Sequence, residues 1–169
     1  MRTEFRKAVL AREMRSLILF DRKAFHEYPA DWFGKEDWNA CIPWWMLVEG
    51  RKVGCCAFAY SEDFLESPQE RGNRWSSDAS LYIVSTGLLP EFRGMGLGQL
   101  MKQWQICYAR RHGFQRIVTN SRKSNRAMIL LNQKAGFRIV RTIPNYYESP
   151  AEAAVVMEFH LSVEGSHRT

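Results

Sequence analysis

The apolar positions of this 169-residue chain change their spacing several times, and each spacing predicts an element. Apolar residues three and four apart, typical of one helix face, occur within residues 10–25 and 97–108. Apolar runs rich in β-branched residues predict strands. We expect the strands at residues 5–9, 44–48, 52–60, 79–89, 117–120, 137–143 and 153–161. We expect the helices at residues 10–25, 31–40, 96–112 and from Ser124 or Asn125 to residue 136.

Glycines and polar stretches mark the turns between these elements. Glu49-Gly50-Arg51 joins two predicted strands and indicates a hairpin. Gly113 and Gly136 each follow a predicted helix, where a left-handed residue commonly ends the helix. Gly87, inside a predicted strand, indicates a bulge or a close approach of backbone. Residues 61–78 are polar and charged, so we expect a long mobile loop there, a candidate lid.

Length and composition favour one ordered domain over residues 1–161, followed by a polar C-terminal tail at residues 162–169. The chain is 46% hydrophobic and 25% charged, which is typical of globular protein. It has neither an apolar run near 18 residues nor a secretory leader, so no membrane partner is expected. The four cysteines lack metal-ligand spacing, and we interpret them as reduced core residues of a cytoplasmic protein without a metal site.

The net charge of +6 bears on the class of ligand. Lysine and arginine are scattered, with no basic run of five, so nucleic acid is not an expected partner. A positive surface of this kind suits a smaller polyanionic ligand.

The stretch from Arg93 to Gly98, Arg-Gly-Met-Gly-Leu-Gly, links an apolar strand to a helical stripe. Glycine lets backbone approach a ligand, and a helix N-terminus offers unpaired N–H groups and a partial positive charge. We therefore expect an anion site, and diphosphate is the usual occupant of such a turn. A P-loop is excluded because no lysine follows Gly98 at the required place. A dinucleotide-binding turn is excluded because the strand at residues 117–120 carries no acidic residue.

The remaining pattern, Arg-x-x-Gly-x-Gly, resembles the coenzyme A loop of the GNAT superfamily of N-acetyltransferases. Asn125 lies eleven residues before Gly136-Phe137, as in that family, and Tyr146 lies nine residues after Phe137. The second spacing resembles the branch that acetylates protein α-amines. The resemblance covers residues 40–161 well. It implies an α+β (α/β/α) GNAT fold, in which about four helices flank a mixed, mostly antiparallel twisted sheet of six or seven strands, splayed beside Leu88.

The resemblance also implies that acetyl-CoA binds at this loop. The backbone N–H groups of Gly94 to Gly98 would face the diphosphate, and an N–H near Leu88 would polarise the thioester carbonyl. The implied cofactor-binding residues are Leu88, Leu89, Arg93, Gly94, Met95, Gly96, Leu97, Gly98 and Asn125.

This chain departs from the family at its acid–base positions. The two places where the family commonly carries a carboxylate base hold Tyr82 and Asn120, and the place of its tyrosine acid holds Asn132. Tyr82 matches a tyrosine that holds a base-relay water in some N-terminal acetyltransferases. Water or Tyr147 would protonate the leaving thiolate. The implied catalytic residues are Tyr82, Leu88 and Tyr147.

A weak base relay favours an acceptor that loses its proton easily. An α-amine, with a pKa of about 7.8, is roughly one-tenth neutral at pH 7, whereas a lysine with a pKa of about 10.4 is far less so. Deprotonating the lysine costs about 3.5 kcal/mol more. The residues therefore favour an α-amine or another amine of low pKa.

The resemblance assigns acceptor binding to Phe25, Tyr146 and Tyr147, although the usual Phe-Pro reads Phe25-His26-Glu27-Tyr28-Pro29 here. The expected partners are acetyl-CoA and an amine, either a peptide N-terminus or a small molecule. A small amine would occupy a pocket under Trp32, Trp38 and Tyr146. A module that senses acyl-CoA without turnover is a further alternative, and a monomer or homodimer is expected.

Overall fold

A computed structural model describes residues 1–59 and 80–161 and builds them around a single sheet. In chain order, strands β1 to β7 are Thr3–Lys7, Ile42–Val48, Arg51–Ala59, Ser80–Leu88, Arg116–Arg122, Arg138–Tyr147 and Glu152–His160. Helices α1 to α4 are Leu10–Ala24, Lys35–Asn39, Leu97–Arg111 and Arg126–Lys134. The spatial order of the strands is β1-β2-β3-β4-β5-β7-β6. β4 and β5 run parallel, and every other neighbouring pair in the described sheet is antiparallel. The predicted mixed, mostly antiparallel sheet with four helices is confirmed.

Most helix ends lie where the sequence predicts them. Gly96 adopts the left-handed conformation (φ 79°) immediately before α3, and Gly113 (φ 75°) follows its end. Asn125, rather than Ser124, caps α4, because its Oδ1 accepts a hydrogen bond from the Met128 N–H at 3.1 Å. Gly136 (φ 103°) follows α4.

A hydrophobic core lies on each face of the sheet. Cys55 of β3 packs in the core that contains Leu17 of α1, whereas its neighbour Cys56 packs in the core that contains Met101 of α3. Successive strand residues point to opposite faces, which explains the division. Trp38 places α2 in the α1 core. The expectation of four buried cysteines is wrong for Cys107, which is exposed.

The sheet splits at its centre, as predicted. β4 pairs with β5 over four positions that end at Ile83 and Thr119, where the Thr119 hydroxyl donates to the Ile83 carbonyl at 3.1 Å. Beyond them β4 stays paired with β3, and β5 with β7. The register against β3 shifts between Ile83 and Ser85, a bulge that bends β4 where the strands separate. A cleft therefore opens between β4 and β5.

Two predicted elements differ in extent more than the others. The helix expected at residues 31–40 is shorter and consists of α2 alone. Gly34 has an extended backbone, and its N–H donates to Asp37 Oδ2 at 2.8 Å, so the helix begins only after Gly34. β6 runs on to Tyr147 instead of ending at residue 143. A register shift after Ile143, with Asn145 at φ 52°, lets pairing with β7 resume.

The buried face of α3 is rotated from the predicted stripe. Leu100, expected on the apolar face, is 37% exposed. Lys102 and Gln105 are buried instead. The side of α3 that faces the sheet therefore carries polar groups.

The predicted loop at residues 61–78 and the tail at residues 162–169 lie outside the described residues. None of the helices in the described part of the chain combines the length and apolar character needed to cross a bilayer.

Candidate functional site

The cleft between β4 and β5 holds a cavity of about 330 Å³ that passes through the sheet. Residues from the strand edges, including Thr86 and Asn120, line its middle. Residues around the end of α1, including Phe25, line one mouth, and Lys102 of α3 and Asn125 at the start of α4 line the other. The cavity therefore connects the two faces, and two molecules could enter from opposite sides and meet in it.

The glycine-rich loop lies at the α3 side, directly after β4. Gly94 (φ 73°) and Gly96 (φ 79°) take conformations that disfavour other residues, and a Cβ on either would meet open space. The first N–H groups of α3 have no intrahelical acceptor, because the ladder starts with the Leu100 N–H to the Gly96 carbonyl at 3.1 Å. An open, glycine-lined helix N-terminus of this kind fits a diphosphate.

The end of β4 presents a backbone donor to the cleft. The Leu89 N–H donates to the Val53 carbonyl at 2.9 Å. Because hydrogen bonds alternate along an antiparallel pair, the Leu88 N–H points away from β3, toward the side where β5 has separated. This orientation suits the implied role of Leu88 as a donor to a thioester carbonyl, which stays a prediction.

Arg93 has a different environment from the one its motif suggests. Its guanidinium donates to the Ala24 carbonyl at the end of α1 and, at 3.4 Å, to the Leu88 carbonyl. Its side chain thus ties the loop to α1. The other implied cofactor residues, Leu89, Met95, Leu97 and Gly98, surround the loop, and their roles stay predictions.

Tyr146 and Tyr147 lie together on the acceptor side, next to Asn120. The two rings are 4.9 Å apart, and Asn120 Nδ2 donates to the Tyr147 hydroxyl at 2.9 Å. Burial raises the pKa of Tyr147, so its hydroxyl keeps its proton at neutral pH. The structure brings Phe25, Tyr146 and Tyr147 into one cavity.

Tyr82 packs against apolar side chains. It is 3% exposed and packs in a cluster with Ala59, Val118 and Val156, one residue before the cavity wall begins at Ile83. Its implied role in a base relay stays a prediction.

The predicted small-molecule pocket under Trp32, Trp38 and Tyr146 is wrong in its two tryptophans, whereas Tyr146 does line the cavity. Trp38 is 1% exposed and packs edge-on against Phe33, within the α1 core. Trp32 Nε1 donates to the Phe25 carbonyl at 2.8 Å and holds the end of α1. Phe33 and Tyr28 line the cavity instead.

Sequence reasoning missed a carboxylate in this cavity. Asp21 is 2% exposed and accepts the Phe33 N–H at 2.7 Å. Burial raises the pKa of Asp21 to about 6, against the opposing effect of that hydrogen bond. An aspartate on the apolar stripe of a helix, four residues after Leu17 and three before Ala24, was the signal that could have identified it.

An ion pair across the same mouth was also missed. Arg122, whose side chain is 4% exposed, donates to both carboxylate oxygens of Asp31 at 2.7 and 2.9 Å. Its guanidinium carbon lies 4.6 Å from the Tyr28 ring and 4.5 Å from the Tyr147 ring. Glu152 accepts a further hydrogen bond from it at 3.2 Å. Arg122 therefore fixes Tyr147 and neutralises Asp31, which leaves Asp21 as the carboxylate without a paired cation in the described lining.

The opposite mouth contains a buried lysine. Lys102 is 1% exposed and lines the cavity, and burial lowers its pKa to about 8. In residues 1–59 and 80–161, no group of three histidine, cysteine, aspartate or glutamate side chains could hold a metal ion.

Comparisons with known proteins agree with this geometry. Residues 11–137 match the model of the acetyltransferase (GNAT) family. N-alpha-acetyltransferase 50 of Danio rerio is 35% identical over 81 residues, which is 46% of this chain and 48% of that protein. The match thus spans about half the length of that relative.

Solved structures extend the likeness to nearly the whole chain. The ribosomal-protein-S18-alanine N-acetyltransferase from Escherichia coli superposes with a TM-score of 0.76 at 15% identity, covering 99% of both chains. Arabidopsis thaliana Naa50 in complex with the bisubstrate analogue CoA-Ac-MVNAL has a TM-score of 0.76 at 18% identity, covering 95% of this chain and all (100%) of that one. These superpositions, at such low sequence identity, establish a shared fold.

Proposed function

This chain belongs to the GNAT family of acetyltransferases, and from that premise we propose that it transfers the acetyl group of acetyl-CoA to the α-amine of a peptide or protein. The observation that carries the proposal is the cavity between β4 and β5. It joins a side that can hold a diphosphate to a side that can hold an amine. A direct transfer between two bound molecules needs such a passage.

On the donor side, the loop from Gly94 to Gly98 would hold the diphosphate of acetyl-CoA through backbone N–H groups. The Leu88 N–H and the Asn125 amide would hold the arm that carries the acetyl group. When bound, acetyl-CoA supplies an activated thioester carbonyl. The Leu88 N–H would then donate to the carbonyl oxygen on which negative charge develops.

On the acceptor side, Asp21 would attract the substrate as an ammonium ion. With a pKa of about 6, its carboxylate is mostly ionised at neutral pH, and Asp31 is already neutralised by Arg122. Asp21 can then take up the proton that the amine must lose before it attacks. A weak base of this kind is matched to an α-amine better than to a lysine side chain.

Phe25, Tyr146 and Tyr147 would flank the first residue of the peptide. The names of two relatives support this: one is an N-alpha-acetyltransferase, and one was solved with a coenzyme A–peptide bisubstrate analogue. The hydroxyl of Tyr147, held by Asn120, would orient the substrate backbone.

The test compares short peptides with a free α-amine, the same peptides with the α-amine blocked, and small amines. We expect thiol release with the free peptides and none with blocked peptides that contain lysine. Tyr146→Ala should raise KM for the peptide. Faster reaction of a lysine side chain or a polyamine would contradict the proposal.

A small-molecule amine is the second candidate acceptor. The cavity of about 330 Å³ lies near the lower end of the range for small-ligand sites. If small amines react faster than every free peptide, this candidate replaces the first. If acetyl-CoA binds and no amine causes thiol release, the chain acts as a sensor of acyl-CoA.

A further inference from the structure

Lys102 lies where helix packing calls for an apolar side chain. It follows Met101 on the buried side of α3 and is itself 1% exposed. Its Nζ has no hydrogen-bond partner among the described residues and lies 5.6 Å from the centre of the Phe137 ring. A lysine is almost never fully buried without a partner, so this position requires a reason beyond packing.

The side chain of Lys102 reaches the cleft from the donor side. It lines the cavity together with Thr86 at the edge of β4 and Asn125 at the start of α4. One turn further along α3, Gln105 Nε2 donates to the Thr86 hydroxyl at 3.1 Å, so the cavity wall is polar here. An ammonium group in this place would meet a negative charge that forms in the cleft.

Among residues 1–59 and 80–161, no competing acid adjoins Lys102. Asn132 of α4 is also buried, and its backbone carbonyl accepts the Phe137 N–H at 3.0 Å, so both residues adjoin Phe137. An amide cannot donate a proton as an acid. The titratable group that faces Lys102 is Cys56 of β3, and burial raises the pKa of that thiol to about 12, which keeps it neutral.

We propose that Lys102 donates the proton that the sulfur of coenzyme A needs as it leaves. The inference rests on the proposed acetyl transfer. The amine nitrogen forms its bond to the carbonyl carbon and loses a proton on the acceptor side. The carbon–sulfur bond then breaks and its electron pair stays on sulfur, which forms a thiolate beside the Lys102 ammonium. An Nζ–H proton passes to that sulfur as coenzyme A leaves the cleft. Lys102 is left neutral and regains a proton from solvent.

The acidity of Lys102 suits this step. A free thiol has a pKa of about 8.5, and a donor is most effective when its own pKa lies close to the working pH. Burial brings the pKa of Lys102 to about 8, whereas a tyrosine as buried as Tyr147 is a much weaker acid. Tyr147, which with water was one of the two proton sources expected from the sequence, also lies on the acceptor side, next to Asn120.

The experiment uses wild type, Lys102→Met and the control Lys134→Met, which removes an exposed lysine of α4. The first readout is the ultraviolet absorbance of the thiolate of bound coenzyme A across a pH series. In wild type, the neighbouring ammonium should favour the thiolate, so the bound thiol should titrate at lower pH than the free thiol. In Lys102→Met, the pKa of the bound thiol should be about one unit higher than in wild type, which is a tenfold change in its acid dissociation constant.

The second readout compares coenzyme A with desulfo-coenzyme A. Lys102→Met should weaken binding of coenzyme A about tenfold at a pH where wild type holds the thiolate, and leave desulfo-coenzyme A unchanged. The third is kinetic: kcat should fall about 100-fold, within the range for a lost general acid, with KM for acetyl-CoA unchanged. Lys134→Met should match wild type throughout.

The outcomes separate this inference from the proposed function. If desulfo-coenzyme A binds neither wild type nor variant, the acetyl transfer itself fails. If it binds both, but the bound thiol titrates alike in wild type and Lys102→Met, the role of Lys102 is overturned while the proposed function stands. Tighter binding of malonyl-CoA than of acetyl-CoA, lost in Lys102→Met, would assign Lys102 to a carboxylate instead. Should the variant fail to fold, a wild-type bound thiol no more acidic than the free thiol overturns the proposal.

Discussion

Arg122 and Asp31, which are 91 positions apart in the chain, form a two-point ion pair at the acceptor mouth of the cleft. The guanidinium lies between Tyr28 and Tyr147, 4.6 and 4.5 Å from their ring centres. This one side chain therefore joins β5 to the segment after α1 and holds a tyrosine at the site.

The first prediction is that Arg122→Met destabilises the protein by about 3 kcal/mol, because breaking a buried pair leaves an uncompensated charge. Asp31 is 28% exposed, which keeps the expected loss near the lower end of that range. Urea denaturation measures the change. The control Arg6→Met removes a pair with Glu13 in which the arginine is 39% exposed, and it should cost about 1 kcal/mol or less. Equal losses in the two variants would refute the structural role of Arg122.

The second prediction concerns the pH dependence of stability through Asp21. Its pKa is about 6 in the folded state and 3.8 in the reference state, so the folded state binds the proton more tightly. This stabilisation is complete below pH 4 and is lost as the pH rises through 6. The loss amounts to about 3 kcal/mol.

Asp21→Asn removes this titration but can still accept the Phe33 N–H. The variant should therefore be more stable than wild type at pH 7, and the difference should vanish near pH 4. Denaturation curves of both proteins at several pH values provide the measurement, and their difference isolates Asp21 from the other carboxylates. Parallel pH profiles would show that Asp21 is not buried as described.

The elements that the sequence predicts well are those set by neighbouring residues. The turns at Gly50, Gly96, Gly113 and Gly136 all adopt positive φ, as their local patterns predict. The split sheet follows from the position of the glycine loop after β4 and from the resemblance that its motif carries. The bounds of α2 were wrong, since they depend on a single hydrogen bond between Gly34 and Asp37.

The charged groups of the cleft could not be predicted in the same way. Asp21 and Lys102 lie on the apolar faces of their helices, where the sequence pattern predicts no charged residue. The role of each depends on the cavity that its side chain faces, which the pattern does not predict. The partner of Arg122 depends on how distant segments meet. A single sequence therefore predicts the helices, strands and turns that build this site, because each depends on neighbouring residues. It does not predict which charged groups meet in the cleft, because those contacts join distant segments.

The third prediction is that Gly96→Asp abolishes stabilisation by acetyl-CoA. The new carboxylate would stand at the N-terminus of α3, where the diphosphate is expected, and repel it. Wild type should gain about 2.7 kcal/mol at a ligand concentration 100 times Kd, measured by thermal denaturation. The matched control is Gly113→Asp at the other end of α3, with nearly the same φ (75° against 79°) and open space around its Cβ.

Both substitutions should cost about 1 kcal/mol of backbone strain without ligand. Only Gly96→Asp should lose the response to acetyl-CoA. If Gly113→Asp loses it too, strain in α3 rather than the phosphate site is responsible.

The fourth prediction rests on Gly87, where the sequence predicts a bulge or a close approach of backbone. A Cβ at this position would lie 2.8 Å from Cζ of Phe25 and 3.3 Å from Cβ of Ala24. Gly87→Ala must therefore displace the Phe25 ring at the acceptor mouth, at a cost of about 1 to 3 kcal/mol in stability. KM for the free peptide should rise about tenfold, equivalent to 1.4 kcal/mol, while stabilisation by acetyl-CoA stays unchanged. Gly34→Ala is the control, because its Cβ meets only an ordinary contact of 3.6 Å with Asp37.

In a double-mutant cycle, Phe25→Ala should cost less stability in the Gly87→Ala background than in wild type, since the clash is then relieved. If the two losses in stability are additive, Gly87 and Phe25 are not in contact. The assignment of Phe25 to the acceptor mouth would then be wrong.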